Sequence, residues 1–181
     1  ALSDARGRAG PDSGVPPPPV GAFLAWLAAT MAARTVVEVG GSAGVGGLWL
    51  LRGLAERAAL TCIEPDADAR DLAQQAYEDA GVTRRVRTIV GASDEVLGRL
   101  SDAGYDLVVM HAVDGDHEAL VSHVRRILRP GGVVLVRQVA AGGWKLLDAR
   151  QAFTRALIED EGLEVAVLPI DGGIVLATVR G

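Results

Sequence analysis

Residues 36–47 read VVEVGGSAGVGG, and this stretch decides the fold. The β-branched run at 35–39 is typical of a strand, and the apolar residues from Gly46 onward are spaced as in a helix. Five glycines between residues 40 and 47 join the two elements. Glycine lets the backbone turn sharply and lets a ligand lie against it, and the N–H groups at the start of the next helix attract an anionic group. The stretch therefore predicts a strand, a ligand-binding loop and a helix.

The same alternation of strand and helix continues on both sides of this stretch. Helical spacing of apolar residues predicts helices over 20–34, 46–57, 66–80, 94–100, 117–128 and 145–161. Apolar β-branched runs predict strands over 35–39, 60–64, 86–90, 106–111, 133–137, 163–168 and 174–179. Such alternation predicts one α/β domain over 20–181, a mostly parallel sheet with helices on both faces. The turn residues 169–173 predict a hairpin, so the last strand is antiparallel.

The first nineteen residues differ in composition from the rest of the chain. They are rich in Gly, Asp, Arg and Ser, and four prolines occupy 16–19. We predict a flexible or extended Pro-rich lead-in over 1–19.

Composition and charge exclude several classes of partner. The net charge is −5 and aromatic residues make up 4%, whereas nucleic-acid binding needs clustered cations and stacking rings. The longest charge-free apolar stretch, 20–33, has 14 residues, too few to cross a bilayer, and it has no signal-peptide pattern. The single cysteine, Cys62, excludes an internal disulfide. These features predict a cytoplasmic protein with neither a nucleic-acid nor a membrane partner, and the arginine-rich composition indicates a bacterial source.

Two nucleoside ligands fit the glycine loop. Gly40, Gly44 and Gly46 have the spacing of the NAD(P)-binding loop of short-chain reductases, whereas Glu38, Gly40 and Gly44 have that of methyltransferases that bind S-adenosyl-L-methionine (SAM). The carboxylate before the first glycine favours SAM, because it would repel a pyrophosphate. A reductase of that class also needs a Tyr-x-x-x-Lys pair, and Lys145 is the only lysine and has no tyrosine four residues before it.

Six stretches, in conserved order and spacing, resemble the catechol/caffeoyl-CoA type of small-molecule O-methyltransferases. They are VVEVGGSAGVGGLWL (36–50), TCIEPD (61–66), GASDEVL (91–97), YDLVVMH (105–111), ILRPGGVVLV (127–136) and LPIDGGIVLATVR (168–180). The resemblance implies a Rossmann-like fold whose seven-stranded sheet has the order 3-2-1-4-5-7-6, with the last strand antiparallel. It also implies methyl transfer from SAM to an oxygen of a small molecule, with S-adenosyl-L-homocysteine (SAH) as product. Members of this family are often dimers, and the apolar segment 20–33 is compatible with a homodimer.

The resemblance also implies where the cofactor is held. The loop after the first strand would surround the methionine end of SAM, the end of the second strand would hold the ribose, and the turn after the third strand would border the adenine. The end of the fourth strand would complete the site. The residues so implied are Glu38, Gly40, Gly41, Ser42, Gly44, Glu64, Pro65, Ala92, Ser93 and His111. For Ser93 a helix N-cap is an alternative role.

The chain departs from the family at the metal-binding positions. The family usually holds a divalent cation with an Asp after the fourth strand and an Asp-Asn pair after the fifth, but this chain has His111 and Arg137-Gln138 there. Magnesium prefers oxygen ligands, and Arg137 would repel a cation. The lysine proposed as the family's general base is replaced by Asp114. We therefore predict no metal site of the usual kind.

The same departures suggest a different catalytic pair. His111 is a candidate general base because its ordinary pKa lies near neutrality, and Arg137 is a candidate to stabilise a phenolate or to bind an acceptor carboxylate. Alternatives stay open: a hydrogen-bonded strand-end histidine, an Arg137 salt bridge, or a transition-metal site formed by His111 with Asp114, Asp116 and His117. At the level of function, the alternative is a SAM- or SAH-binding protein that has lost turnover.

Overall fold

The structure is a computed structural model that describes residues 1–10, 14–111, 113, 116–137 and 144–180. Seven strands form one sheet in the order β3-β2-β1-β4-β5-β7-β6. The strands are β1 Thr35–Val39, β2 Ala59–Glu64, β3 Val86–Val90, β4 Tyr105–Met110, β5 Leu128–Arg137, β6 Leu163–Leu168 and β7 Ile174–Val179. The helices are α1 Leu2–Ala9, α2 Pro18–Thr30, α3 Val45–Gly53, α4 Ala67–Asp79, α5 Ser93–Gly98, α6 His117–Ile127 and α7 Trp144–Glu159, and a 3-10 turn spans Thr83–Arg85.

The direction of the strands agrees with the prediction. β1 to β5 run parallel to one another, and β7 runs antiparallel to both of its neighbours, β5 and β6. The order and the antiparallel last strand confirm the predicted fold class. Among the described residues, no helix combines the length and the apolar character needed to cross a membrane.

Side chains of the central strands alternate between two cores. Val36 and Leu107 belong to the core under α2, α3 and α4, while Val37 and Val108 belong to the core under α5, α6 and α7. This alternation follows from the period of two along a strand. Glu38 has the same parity as Val36, so its side chain lies on the α3 side of the sheet.

The N-terminal segment differs from the prediction. The prediction of a flexible or extended lead-in over 1–19 is wrong for the residues of α1. This segment is helical, buries Ala5 and packs against α4. An ion pair of 2.9 Å between Arg8 and Asp79 joins the two helices. The boundary predicted after residue 19 falls inside α2, because Pro18 fits the first helical turn, where a backbone N–H is not needed. Docking onto the domain, which sequence periodicity does not report, stabilises the short α1.

The fifth strand also begins earlier than predicted. β5 starts at Leu128, directly after α6, although the stretch 129–132 was expected to be a turn. Tyr105 pairs with Leu128 and Leu107 with Val133, so a register shift accommodates the extra residues. Gly131, at φ 75°, lies in this irregular part. A bulge of this kind lets a turn-like sequence stay in the sheet.

Candidate active site

Backbone hydrogen bonds tie together the carboxyl ends of the three central strands. The Gly40 N–H donates to the carbonyl of Ile63 at 2.9 Å, and the His111 N–H donates to the carbonyl of Val39 at 2.9 Å. The glycine loop, the end of β2 and the end of β4 therefore lie side by side. Open α/β sheets bind ligands at this edge, so the predicted cofactor residues are gathered where a ligand is expected.

The loop after β1 is built from left-handed residues. Gly40, Ser42, Ala43 and Gly44 have φ values of 67°, 52°, 56° and 84°. The left-handed region is unfavourable for Ser42 and Ala43, which have a Cβ atom, and such strain concentrates at functional sites. Two N–H groups at the start of α3 donate within the protein: that of Val45 to the Ser42 carbonyl at 3.3 Å and that of Gly46 to the Gly41 carbonyl at 3.2 Å. These two groups are therefore not free to receive an anionic group as predicted.

Other glycines of the loop make room for the protein's own carboxylate. A Cβ atom on Gly41 would lie 2.6 Å from Glu38 Oε2, and one on Gly46 would overlap Glu38 Oε1. A Cβ on Gly47 would lie 2.9 Å from Glu38 Oε2 and would overlap the Tyr77 hydroxyl. The glycine-rich sequence is therefore required for packing as well as for ligand approach.

Glu38 lies beneath the loop and is completely buried. Its Oε1 is 3.0 Å from Nε2 of His111, whereas its Oε2 has no hydrogen-bond partner in the part of the chain that the structure describes. Burial raises the pKa of Glu38 to about 8, although the positive charge of Arg137 opposes this shift. The structure thus places Glu38 under the loop rather than on its open side, and a direct contact with the cofactor stays a prediction.

His111 and Arg137, the two predicted catalytic residues, are brought together. Arg137 Nη1 donates to His111 Nδ1 at 3.2 Å and to the Gly14 carbonyl at 2.8 Å, and Nη2 donates to Asp171 Oδ2 at 2.8 Å. Because a guanidinium can only donate, Nδ1 must be the acceptor, and the proton of a neutral His111 is on Nε2, facing Glu38. Both ring nitrogens are occupied and both side chains are 2% exposed. The salt-bridge alternative for Arg137 is therefore confirmed, and the partner is Asp171.

Glu64 ends β2 next to the loop. It is 3% exposed, and the Cys62 thiol donates to its Oε1 at 3.8 Å. Burial, helped by the charge of Glu38, raises the pKa of Glu64 to about 7, while the Gly41 backbone opposes the shift. The carboxylate is thus held at the end of β2 by the Cys62 thiol and the Gly41 backbone.

The turn after β3 lies beside Glu64. The Gly91 N–H donates to the Glu64 carbonyl at 3.1 Å. Ala92 is exposed, as is Pro65 on the neighbouring turn, and Ser93 is buried. The alternative role of Ser93 as a helix N-cap is wrong, because Ala92 holds the N-cap position of α5 and Ser93 is its first helical residue.

The described residues of the alternative transition-metal site, His111, Asp116 and His117, do not form a metal-binding group. Asp116 is the N-cap of α6, and its Oδ1 accepts from the N–H groups of Glu118 and Ala119 at 2.9 and 3.2 Å. Within the described ranges, no group of three His, Cys, Asp or Glu side chains is arranged to hold a metal ion. Asp114 and Gln138 lie outside the described residues.

Sequence reasoning missed two members of this site. Asp171 was interpreted only as a hairpin residue, and Gly14 only as part of the lead-in. The available signal for Asp171 was an acidic residue in the turn before the strand that pairs with β5. No local pattern in the sequence marks Gly14, because its contribution is a backbone carbonyl.

Comparisons with known proteins agree on the family. A family model described as a methyltransferase domain matches residues 37–137, which is more than half of the chain. "Probable O-methyltransferase Rv1220c" of Mycobacterium tuberculosis (strain H37Rv) is 41% identical over 190 residues, covering 99% of this chain and 84% of that protein. A protein of Mycolicibacterium vanbaalenii, also named an O-methyltransferase, is 40% identical. The alignment covers 91% of this chain and 77% of that protein.

Solved structures show the same architecture. The O-methyltransferase TomG of Streptomyces achromogenes, solved with SAM, has a TM-score of 0.86 at 26% identity and covers 99% of this chain and 89% of its own. A Corynebacterium glutamicum protein has a TM-score of 0.84 at 28% identity, with the same coverage. The chain belongs to the SAM-dependent O-methyltransferases of this methyltransferase-domain family. The predictions of the family, of the enzyme class and of SAM as its cofactor are confirmed.

Proposed function

We propose that this protein methylates an oxygen atom of a small molecule with SAM, without the magnesium site of its family. The observation that carries the proposal is Glu64, a buried carboxylate at the carboxyl end of β2, beside a loop of left-handed residues. A carboxylate in this position can accept both hydroxyls of a ribose.

The residues present fit SAM. Glu64 has the chemistry to bind the ribose, the strained backbone of the loop 40–44 offers polar groups, and the turn at Ala92 and Ser93 can border a base. Glu38 leaves one oxygen without a partner in the described part of the chain, beneath that loop. SAM supplies a methyl group already activated on a sulfonium, so the protein has to hold the donor and the acceptor oxygen in line.

The residues present do not fit magnesium. The end of β5 carries the guanidinium of Arg137, which is 2.8 Å from Asp171 and 3.2 Å from His111. A fixed positive charge there repels a divalent cation and removes a carboxylate from the set of oxygen ligands. We therefore assign a resident cation, Arg137, to the place where the family usually holds a metal.

The geometry changes the role proposed for His111. A general base needs a free nitrogen within reach of the acceptor proton, but Nδ1 accepts from Arg137 and Nε2 faces Glu38. We propose that His111 connects Arg137 to Glu38 and so positions the loop. Arg137 then acts through its charge, which favours an ionised acceptor oxygen at this edge of the sheet.

Titration calorimetry with SAM, SAH and NADH tests the cofactor. We expect SAM and SAH to bind, and Glu64→Gln to weaken their binding about 10- to 100-fold, because charge-assisted hydrogen bonds to the ribose are lost. Glu56→Gln, which changes an exposed glutamate, is the matched control. Binding of NADH but not of SAM would overturn the proposal and support the reductase alternative.

Turnover assays test the reaction. A panel of phenols and carboxylic acids is assayed with SAM, after EDTA treatment and with added magnesium or manganese. We expect methyl transfer that EDTA does not abolish. Turnover only with an added metal would contradict the absence of a metal site, and SAM binding without turnover under any condition would support the alternative of a binding protein.

Two finer predictions also remain proposals. We propose that the protein is cytoplasmic and that it forms a homodimer through the outer face of α2, where Trp26 is 59% exposed and stacks on Phe23 at 5.9 Å. Sedimentation of the wild type and of Trp26→Ala measures the second proposal. A monomeric wild type would contradict it.

A further inference from the structure

Asp171 lies at the tip of the β6–β7 hairpin and reaches back to the end of β5. Its backbone is left-handed, at φ 51°, and its Oδ2 is 2.8 Å from Nη2 of Arg137. The Asp171 side chain is 29% exposed, whereas that of Arg137 is 2% exposed. Within the described residues, Asp171 in this hairpin is the only ionic partner of Arg137.

Arg137 joins three separate parts of the chain. One side of its guanidinium binds Asp171, and the other binds the Gly14 carbonyl and His111 Nδ1. A guanidinium is planar and rigid, so a bond at one nitrogen fixes the direction of the others. Asp171 thereby determines where Nη1 points.

The direction of Nη1 determines which ring nitrogen of His111 carries the proton. When Arg137 donates to Nδ1, His111 carries its proton on Nε2 and donates to Glu38 Oε1 at 3.0 Å. Glu38 in turn fills the space left by the loop glycines Gly41 and Gly46. The hairpin, the N-terminal segment and the glycine loop are thus connected by side chains.

We propose that Asp171 is a positioning residue of the methyl-transfer site: it holds Arg137 against His111, fixes the Nε2–H tautomer and thereby keeps Glu38 under the cofactor loop. The proposal rests on the proposed function, because it assigns that loop to SAM. Asp171 acts through Arg137.

Asp171→Asn is the sharpest variant. Asparagine has the same size and tolerates the left-handed backbone, so the hairpin is preserved while the ion pair with Arg137 is replaced by a weaker hydrogen bond to an uncharged oxygen. Asp79→Asn is the matched control, because it removes the charge from an Asp–Arg pair of 2.9 Å that joins α1 and α4. Tm values of both variants report any general loss of stability.

Long-range ¹H–¹⁵N NMR of the imidazole rings reads the tautomer directly. The chain has three histidines, so His117→Asn and His123→Asn assign the His111 signals. We expect an unprotonated Nδ1 of His111 in the wild type. In Asp171→Asn we expect the ¹⁵N chemical shifts of His111 to move toward the averaged values of two exchanging tautomers, and in Asp79→Asn we expect no change. A protonated Nδ1 in the wild type, or an unchanged tautomer in Asp171→Asn, would overturn the proposal.

SAH binding by calorimetry separates this proposal from the proposed function. We expect Asp171→Asn to weaken SAH binding about fivefold, because Arg137 is held less firmly by an uncharged acceptor than by a carboxylate, and Asp79→Asn to leave it unchanged. A wild type that does not bind SAH overturns the proposed function, whereas the tautomer measurement still decides the role of Asp171. Equal SAH affinity in the wild type and Asp171→Asn overturns the positioning role.

Discussion

Two buried carboxylates lie at opposite ends of the central strands, and they differ in how many hydrogen-bond and ionic partners they have. Asp106, at the amino end of β4, accepts at Oδ2 from the N–H groups of Arg34 and Thr35 at 2.7 and 2.9 Å and from the Thr35 hydroxyl at 3.2 Å. Its Oδ1 faces Arg129 in an ion pair. Glu38, at the carboxyl edge, has His111 on one oxygen, and none of the described residues hydrogen-bonds the other.

The difference separates a structural carboxylate from one that we propose belongs to a ligand site. Burying a charge is costly unless it is paired and hydrogen-bonded. Asp106 meets most of that condition, because Oδ2 accepts three hydrogen bonds and Oδ1, which has no hydrogen bond from the described residues, is in an ion pair with Arg129. Asp106 therefore stabilises the strand ends. The carboxyl edge leaves Glu38 with a raised pKa under a strained loop, the condition expected where a protein keeps polar groups for a ligand.

The strongest test removes a cation at each edge. Arg137→Met leaves His111 and Asp171 without their buried partner, and we expect a loss of about 3–5 kcal/mol in the free energy of unfolding. Arg129→Met should cost less, about 1–2 kcal/mol, because Arg129 is 47% exposed and the buried Asp106 keeps its three hydrogen bonds at Oδ2. Urea unfolding measures both. Equal losses would contradict the distinction between the two edges.

The packing of the loop against Glu38 is tested with Gly46→Ala. The added methyl group would overlap Glu38 Oε1, so we expect a loss of about 1–3 kcal/mol in stability and at least tenfold weaker SAM binding. Gly7→Ala is the control, because no atom lies within 4 Å of its added methyl group. Unchanged SAM affinity in Gly46→Ala would show that Glu38 does not support the loop.

Amide substitutions compare the two carboxylates directly. Asp106→Asn places an NH₂ group among hydrogen-bond donors, where it has no acceptor. We expect a loss of about 1–3 kcal/mol in the free energy of unfolding at pH 7. Glu38→Gln should cost under about 1 kcal/mol, because a carboxyl with a pKa of about 8 is already largely protonated at pH 7. Thermal unfolding of the two variants in one buffer gives the comparison. A greater loss for Glu38→Gln would contradict the raised pKa.

The smallest expected effect is the pH dependence of SAM binding, a few-fold change in SAM affinity. Burial raises the pKa of Glu38 from 4.5 to about 8 and that of Glu64 to about 7, so their contribution to stability is complete below pH 4.5 and is lost as the pH rises through 7 to 8. SAM affinity should change in the opposite direction, because Glu64 binds a ribose best when it is ionised. Calorimetry at pH 6 and pH 8 measures the change, which should disappear in Glu64→Gln. An affinity that falls with pH would contradict the ribose assignment.

Local patterns predicted much of the architecture. The run 36–47 specified a strand, a tight loop and a helix, because glycines and β-branched residues restrict the backbone locally. The strand predicted over 60–64 ends at Glu64, as β2 does. The predictions were wrong where docking or register decided the outcome, as in α1, which is short and gains its stability from α4, and in β5, which continues through a turn-like stretch.

The sequence by itself determined the order of the elements, the loop and the absence of the family's metal-binding residues from β4 and β5, since each is encoded in neighbouring residues. Only the tertiary structure decided that Glu38 meets His111, 73 residues away, and that Arg137 meets Asp171, 34 residues away. Parallel pairing of β1 with β4 brings Glu38 and His111 to the same end of the sheet, and antiparallel pairing of β7 with β5 brings the β6–β7 hairpin beside Arg137, whatever the separation along the chain. Contacts between those ends leave no periodicity in the sequence.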